Sequence, residues 1–392
     1  MAKYSLEILS PVHIGNGNKL NQASFLMERD IVYVVNPDTF VAFLPQNLKI
    51  QLLEIAEKGE RLSLHKFLPK EIKNKIKTRC FYKIPLAATP LHSGKYRLFE
   101  IDEFIKESNN SYIPGSELKG ALRTAIIFQL IQDNFDSVVS HIQNLKGIPV
   151  KQMIRQGKGL LKNEKKVASE QIKRIEGEIQ NCLMRGKEKD AKYDILKLLQ
   201  ISDSKSTPAE NSLVVGKTIV LDCEKGPLGF AIYQEFLKPG CKFEIPTISI
   251  PETAKKEEIT NCLGFSENQK DVIRRIENLF QTAYEFTKEL IEAEGDYFKN
   301  ISLLDHNKKA RILKQLEMIA SKNTPRTPIM RIGMGEGVLS HTIWLAIKKK
   351  DKNLYQQILN LQPTETFPKS RKLYEDRDGN YYTMGWVQLK KE

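Results

Sequence analysis

The sequence predicts a mixed α/β (α+β) protein of two domains separated by a charged helical insertion, and three observations carry that prediction. Both ends of the chain hold short β-branched and aromatic runs punctuated by Gly and Pro. A run with apolar residues at spacings of three and four opens after Pro114-Gly115-Ser116. Residues 148–206 are rich in Lys, Glu, Gln and Arg and poor in aromatics. Domains commonly take roughly 100–200 residues, so the 392 residues divide into 1–147, the insertion 148–206, and 207–392.

In chain order, Tyr4 to Leu9 reads as extended, the glycines of PVHIGNGN break it, and Ser24 to Val35 resumes a strand pattern. One helix is expected from Phe40 to Lys58, then a loop-rich stretch marked by Pro85, Pro90 and Gly94, then a short extended piece at Tyr112-Ile113. Leu118, Leu122, Ala125, Ile126 and Leu130 then form the apolar stripe of a long helix. Strand–helix–strand units of this kind suit a ferredoxin-like arrangement. KNEKKVASEQIKRIEGEIQ reads as a solvated helix laced with charge pairs. LVVGKTIVL and FAIYQEFLKPGCKFEIPTISI read as strands. Ser266 and Gln269 form a capping box ahead of Val272, Ile276, Leu279, Ala283 and Leu290 in one helix. Asp378-Gly379 between KLYED and YYTMGWVQL marks a closing hairpin.

Sixty-one Lys and Arg against 48 Asp and Glu give a formal charge of +13, a field that favours a polyanionic partner. The opening MAKYSLEILSPVHIG lacks a signal-peptide pattern, and no run reaches the ~18 apolar residues that span a bilayer. A cytoplasmic protein without a membrane partner is expected. Cys80, Cys182, Cys223, Cys241 and Cys262 form no close pair, which predicts reduced thiols acting as small buried apolar groups. The histidines at 13, 65, 92, 141, 306 and 341 have no ligand-like spacing, so neither a metal nor a cofactor is expected. Gly216-Lys217-Thr218 resembles the end of a phosphate-binding loop, but that loop needs a glycine where Asn211 stands.

IPGSELKGALR carries the clearest site chemistry. Gly115 and Ser116 open a helix whose unpaired N–H groups and positive dipole end suit phosphate, and Lys119 and Arg123 project from one side of it. The same residues equally make a capped helix with solvated charges. In MRIGMGEGVLSH, Gly333, Gly335 and Gly337 permit positive φ angles that build an anion-binding concavity, with Arg326 and Arg331 just upstream. A flexible loop leading to a capped helix is the plainer reading of that run. His13, Gly15 and Gly17 repeat the glycine theme, and a histidine beside a turn is more often packed than catalytic. Lys369, Arg371, Lys372 and Arg377 interleave with Tyr374, Tyr381, Tyr382 and Trp386, a pattern that suits single-stranded nucleic acid or a hairpin core.

The order SPVHIGNG, IPGSELKGALR, EFLKPGCKFEI, glycine-rich loop and terminal MGWVQL resembles the RAMP superfamily of CRISPR proteins. The length, central insertion and GWVQL are most similar to the family of fifth Csm subunits in type III-A effectors. That resemblance implies two ferredoxin-like (RRM-like) domains and a subunit that caps the filament at the 3′ end of the crRNA and assists its maturation in antiviral defence. It implies crRNA, target RNA, backbone Csm subunits and host nucleases as partners. It matches Gly115, Ser116, Lys119 and Arg123 to the guide-contacting helix start, Gly333, Gly335 and Gly337 to the glycine-rich loop, and His13, Gly15 and Gly17 to the opening motif, whose part there is largely structural; together with Arg331 upstream of the loop, these are the expected RNA-binding residues.

The related slicing subunit carries an aspartate after its opening glycines, whereas Gly17 to Phe25 holds no acidic residue. No catalytic role is therefore expected. The competing reading is a metal-independent endoribonuclease that cleaves repeat RNA with His13 or His92 as acid or base. A third is a protein-bridging subunit whose charge serves solubility.

Overall fold

The computed structural model describes residues 3–88, 100–144, 162–359, 361 and 365–392. Pro90, His92, Gly94 and residues 148–161 of the expected insertion lie outside them. The fold is mixed α/β, with several sheets wrapped by many helices.

One four-stranded sheet has the order Lys242–Ile245, Tyr4–Ile8, Trp386–Lys391, Ile329–Arg331, antiparallel throughout. Tyr4, Leu6 and Ile8 are buried while Ser5 and Glu7 are only half so, the alternation that puts one face of a strand on a core. Strands from the first and last residues are thus neighbours. A six-stranded sheet runs Tyr381–Tyr382, Ser370–Glu375, Leu213–Asp222, Gly226–Leu237, Glu100–Phe104, Gly15–Asn21. Its one parallel step joins Gly226–Leu237 to Glu100–Phe104. Phe25–Glu28, Ile31–Val34 and Tyr82–Pro85 make a meander with its own apolar cluster under helices from Pro37 to Lys77.

The expected helix from Phe40 to Lys58 is two helices, Pro37–Phe43 and Gln46–Glu57. Pro45 disfavours the helical region for the residue before it, and Leu44 is extended at φ −75, ψ 127. The helix Gly115–Asp133 buries all five predicted stripe residues together with Ile127, Phe128 and Ile131. It packs against Ile276–Asn300, Trp344–Lys350 and Lys162–Met184, so its apolar surface extends well beyond one stripe. The Ser266 capping box forms, but its helix ends at Ile273 and a second starts at Ile276, with Arg275 extended between them.

The charged insertion is only partly solvated. Ile175, Ile179, Leu183 and Met184 on helix Lys162–Met184, and Ile195, Leu196 and Leu199 after it, are buried in the main core. Their spacing is itself an apolar stripe. The closing hairpin is confined to Tyr374 opposite Tyr382 and Glu375 opposite Tyr381. Gly385, at φ +90, then turns the chain into the other sheet, where a Cβ at this position would lie 2.5 Å from the Ile332 carbonyl oxygen. Gly216 lies within a strand, where a Cβ would strike the rings of Tyr374 and Phe236, and Lys217 pairs with Glu375 at 2.6 Å. All five cysteines are free thiols, but Cys182 and Cys262 are exposed and Cys80, Cys223 and Cys241 only half-buried, so none is the fully buried group expected.

Candidate nucleic-acid interface

The opening turn and the glycine-rich loop interlock. The Met334 N–H donates to the His13 carbonyl at 2.8 Å, and Gly385 N–H donates to Pro11 O at 2.9 Å. At Gly333, φ is +73 and a Cβ would sit 2.4 Å from His13 O, so a side chain there would break the contact. The His13 ring is 3% exposed and donates through Nδ1 to the Glu235 carbonyl at 2.7 Å. Burial pushes its pKa below the usual histidine range, against the opposing effects of that carbonyl and Asp102. The imidazole is therefore a neutral wedge under the turn, not a surface group. Outside it, Gly15 to Lys19 are all exposed at the edge of the six-stranded sheet.

Glu235, in the EFLKPG segment, was not legible as part of this region. Its fully buried carboxylate accepts from Tyr82 Oη at 2.7 Å and Phe104 N–H at 2.8 Å and pairs with Lys106. A Gln-Glu pair between apolar strand residues, Gln234-Glu235, was the available signal. It locks the strand that carries His13's hydrogen-bond partner.

The start of helix Gly115–Asp133 already has internal partners. Gly115 N–H donates to Asp203 Oδ1 at 2.8 Å, and a Cβ there would lie 2.5 Å from Ile201 O. Glu117 Oε2 accepts from Gly333 N–H at 3.2 Å, which ties this helix to the glycine-rich loop. Burial first, and then Glu336, raise the Glu117 carboxyl above its usual pKa. Lys119 Nζ donates to Leu199 O at 2.9 Å, and Arg123 pairs with Asp194 at 2.9 Å. Neither is a free surface cation. Ser116 is exposed and makes no capping bond.

Arg331 requires a correction: it is 3% exposed and bridges Glu294 at 3.1 Å, Met384 O at 2.8 Å and Gly335 O at 3.0 Å. It holds the loop from beneath and presents no charge at the surface. The aromatic run is likewise mostly core, since Tyr374, Tyr381 and Trp386 are buried. Arg371 is buried on Glu294 and Arg377 pairs with Asp30. Lys372 is different. It is half-buried, its Cβ lies 3.6 Å from the Cβ position of Gly335, and its side chain has no hydrogen bond or ion pair among the described residues. The half-exposed backbone of Gly333, Gly335 and Gly337, at φ +73, +89 and +81, stands beside it.

The geometry therefore brings the three motifs to one region, with exposed Gly15 and Gly17, the glycine-rich loop, Ser116 and one spare lysine. This chain is similar to the CRISPR system Cms protein Csm5 of Methanocaldococcus jannaschii, at 23% identity over 98% of this chain and 87% of that relative. It shares its fold with a chain in the cryo-EM structure of a Csm–crRNA–target RNA ternary complex of a type III-A CRISPR–Cas system (TM-score 0.68, 22% identity, all of both chains). The crystal structure of T. onnurineus Csm5 matches over 98% of this chain and 99% of that one, with TM-score 0.65 and 22% identity. The family model described as the RAMP superfamily matches residues 5–338, which include the opening turn, the helix start and the glycine-rich loop, so the chain belongs to the RAMP superfamily.

Proposed function

We propose that the chain is a non-catalytic crRNA-binding subunit of a type III-A Csm effector complex, one that caps the filament at the crRNA 3′ end and supports crRNA maturation in antiviral defence. Its partners in this reading are crRNA, target RNA, backbone Csm subunits and host nucleases, in the cytoplasm. Csm5-type relatives and a fold match from a crRNA-containing complex support it. So does the charge of +13. Within the proposal the chain holds two ferredoxin-like units, 1–147 and 207–392, around the insertion 148–206. Both large sheets pair strands from the two ranges.

The observation that carries the interface is the unpaired Lys372 beside half-exposed glycine backbone, with exposed Gly15 and Gly17 on the interlocked turn. Backbone N–H groups and one cation suit phosphate without reading bases. Lys119 and Arg123 keep spare donors beyond Leu199 and Asp194 and meet phosphates at the helix start.

Titration of labelled single-stranded RNAs of unrelated sequence across salt concentrations tests this. Lys372→Ala should weaken all of them alike and lower the salt slope by about 0.7, the loss of one single-strand phosphate contact. Unchanged affinity and slope would reject the interface. Metal-free incubation with repeat RNA should leave it intact; discrete products lost on substitution of His13 or His92 would instead establish the endoribonuclease.

A further inference from the structure

On the far side of the Arg331–Glu294 pair lies a second feature that the RNA-facing surface does not use. A pocket of about 680 Å³ opens between helices Ile276–Asn300, Trp344–Lys350 and Lys352–Ile358 and the segment leading into strand Ser370–Glu375. That volume exceeds a lone phosphate and falls in the range of small-molecule sites.

Its inner wall is cationic. Arg371 is 3% exposed and lines the pocket, with its guanidinium stacked 3.9 Å from the Tyr297 ring centroid. Nε donates to Glu294 at 2.8 Å, and Nη1 donates to Pro368 O at 3.0 Å and Ser370 O at 3.1 Å. Nη2 is left without a hydrogen bond among the described residues. Glu294 is shared with Arg331, so one carboxylate serves two guanidinium groups and the buried trio carries an uncompensated positive charge. Lys348 also lines the pocket and has no ion pair or hydrogen bond among the described residues; its Nζ stands 6.0 Å from the Tyr355 ring centroid. Burial, ahead of the repulsion from Lys352 and Arg371, lowers its pKa, with Asp296 and Glu294 opposing.

Of the acids on the lining, Asp296 acts on Lys348 from the rim, while Glu224 and Glu365 are engaged by Lys369. Glu224 pairs with Lys369 at 2.6 Å, Glu365 reaches the same lysine at 3.8 Å, and Asp296 faces Lys299 at 4.0 Å. All three sit on the exposed rim, with side chains 57%, 36% and 62% exposed. Half-buried Phe367 adds an apolar face to the wall.

We propose that this pocket is a nucleotide site, in which Arg371 and Lys348 receive a phosphate and Phe367 lies along the base of a nucleoside phosphate, either free or at the end of an RNA strand. A pre-positioned guanidinium with a spare N–H, backed by a stacked ring, recognises a phosphate through charge-assisted hydrogen bonds. The phosphate supplies the second negative charge that the Arg371–Glu294–Arg331 trio lacks.

Calorimetric titration of the full chain with AMP, with a short RNA carrying a terminal phosphate, and with inorganic phosphate tests the site. AMP or the phosphorylated strand should bind, and whichever binds identifies the source; inorganic phosphate should bind at least tenfold more weakly. Lys348→Met keeps the unbranched apolar stem and removes a charge with no ion pair among the described residues, so it should fold normally and weaken binding at least tenfold. Arg371→Lys should do the same if it folds. Absence of binding by both nucleotide probes, equal binding of inorganic phosphate, or full affinity in Lys348→Met would each overturn the proposal. None of these results bears on Lys372, which the salt titration of single-stranded RNA reads separately.

Discussion

Gly333 and Gly17 share a positive φ and differ in surroundings, and the difference separates a structural glycine from an exposed one. Both have positive φ, but a Cβ at Gly333 would meet His13 O at 2.4 Å, whereas nothing lies within 4 Å of one at Gly17. Gly17→Ala should cost only the left-handed strain of about 1–2 kcal/mol. Gly333→Ala adds a backbone clash and should cost about 2–5 kcal/mol. Denaturant melts of the two variants check this; equal losses would mean that the interlock between the opening turn and the loop does not exist in solution. At this scale the sequence identified the glycines and their positive-φ chemistry. It held no means of telling Arg331 from Lys372, two cations near one loop, of which one is buried on Glu294 and the other has no side-chain partner among the described residues.

The helix start at Gly115 shows how an element can be read correctly while its side chains are misjudged. Its start and its apolar stripe follow from local sequence, whereas its end at Asp133 and the burial of Ile127, Phe128 and Ile131 do not. The partners of Lys119 and Arg123, Leu199 O and Asp194, lie 80 and 71 residues downstream in the segment that follows the insertion helix. Lys119→Ala with Arg123→Ala should therefore destabilise the chain by about 1–3 kcal/mol as well as weaken RNA. Asp194→Asn separates the two effects, because it frees Arg123 without deleting it. RNA affinity should fall in the double variant and hold in Asp194→Asn; an equal loss in both would make the two cations anchors only. The insertion has the same lesson, since its charged composition concealed Ile175, Ile179 and Leu183 facing the core.

For the molecule as a whole, the buried Arg331–Glu294–Arg371 trio joins helix Ile276–Asn300 to strands of both large sheets. Glu294→Ala leaves two guanidinium groups unpaired in the core and should cost about 3–5 kcal/mol. Burial alone would raise the Glu294 carboxyl, but Arg371 and Arg331 outweigh it and hold the folded pKa below the usual 4.5. A depressed carboxyl contributes stability that is present above its unfolded pKa and is lost as pH falls through the folded value. Wild-type stability should thus decline below about pH 4.5, and this acid-linked component should vanish in Glu294→Ala. Identical acid slopes in the two proteins would show that the trio does not hold at neutral pH.

By itself the sequence determined the mixed α/β class, the long helix after Gly115, the Ser266 cap, the closing turn and the RAMP motifs, because each depends on neighbours within a few residues. Tertiary structure alone decided that the first strand lies between Lys242–Ile245 and Trp386–Lys391, and that His13 rests on Glu235, 222 residues away. It also decided which cations are spent inside the fold. Burial and charge pairing are set by long-range neighbours, and a linear pattern of residue types does not encode which of several lysines and arginines will find an acid.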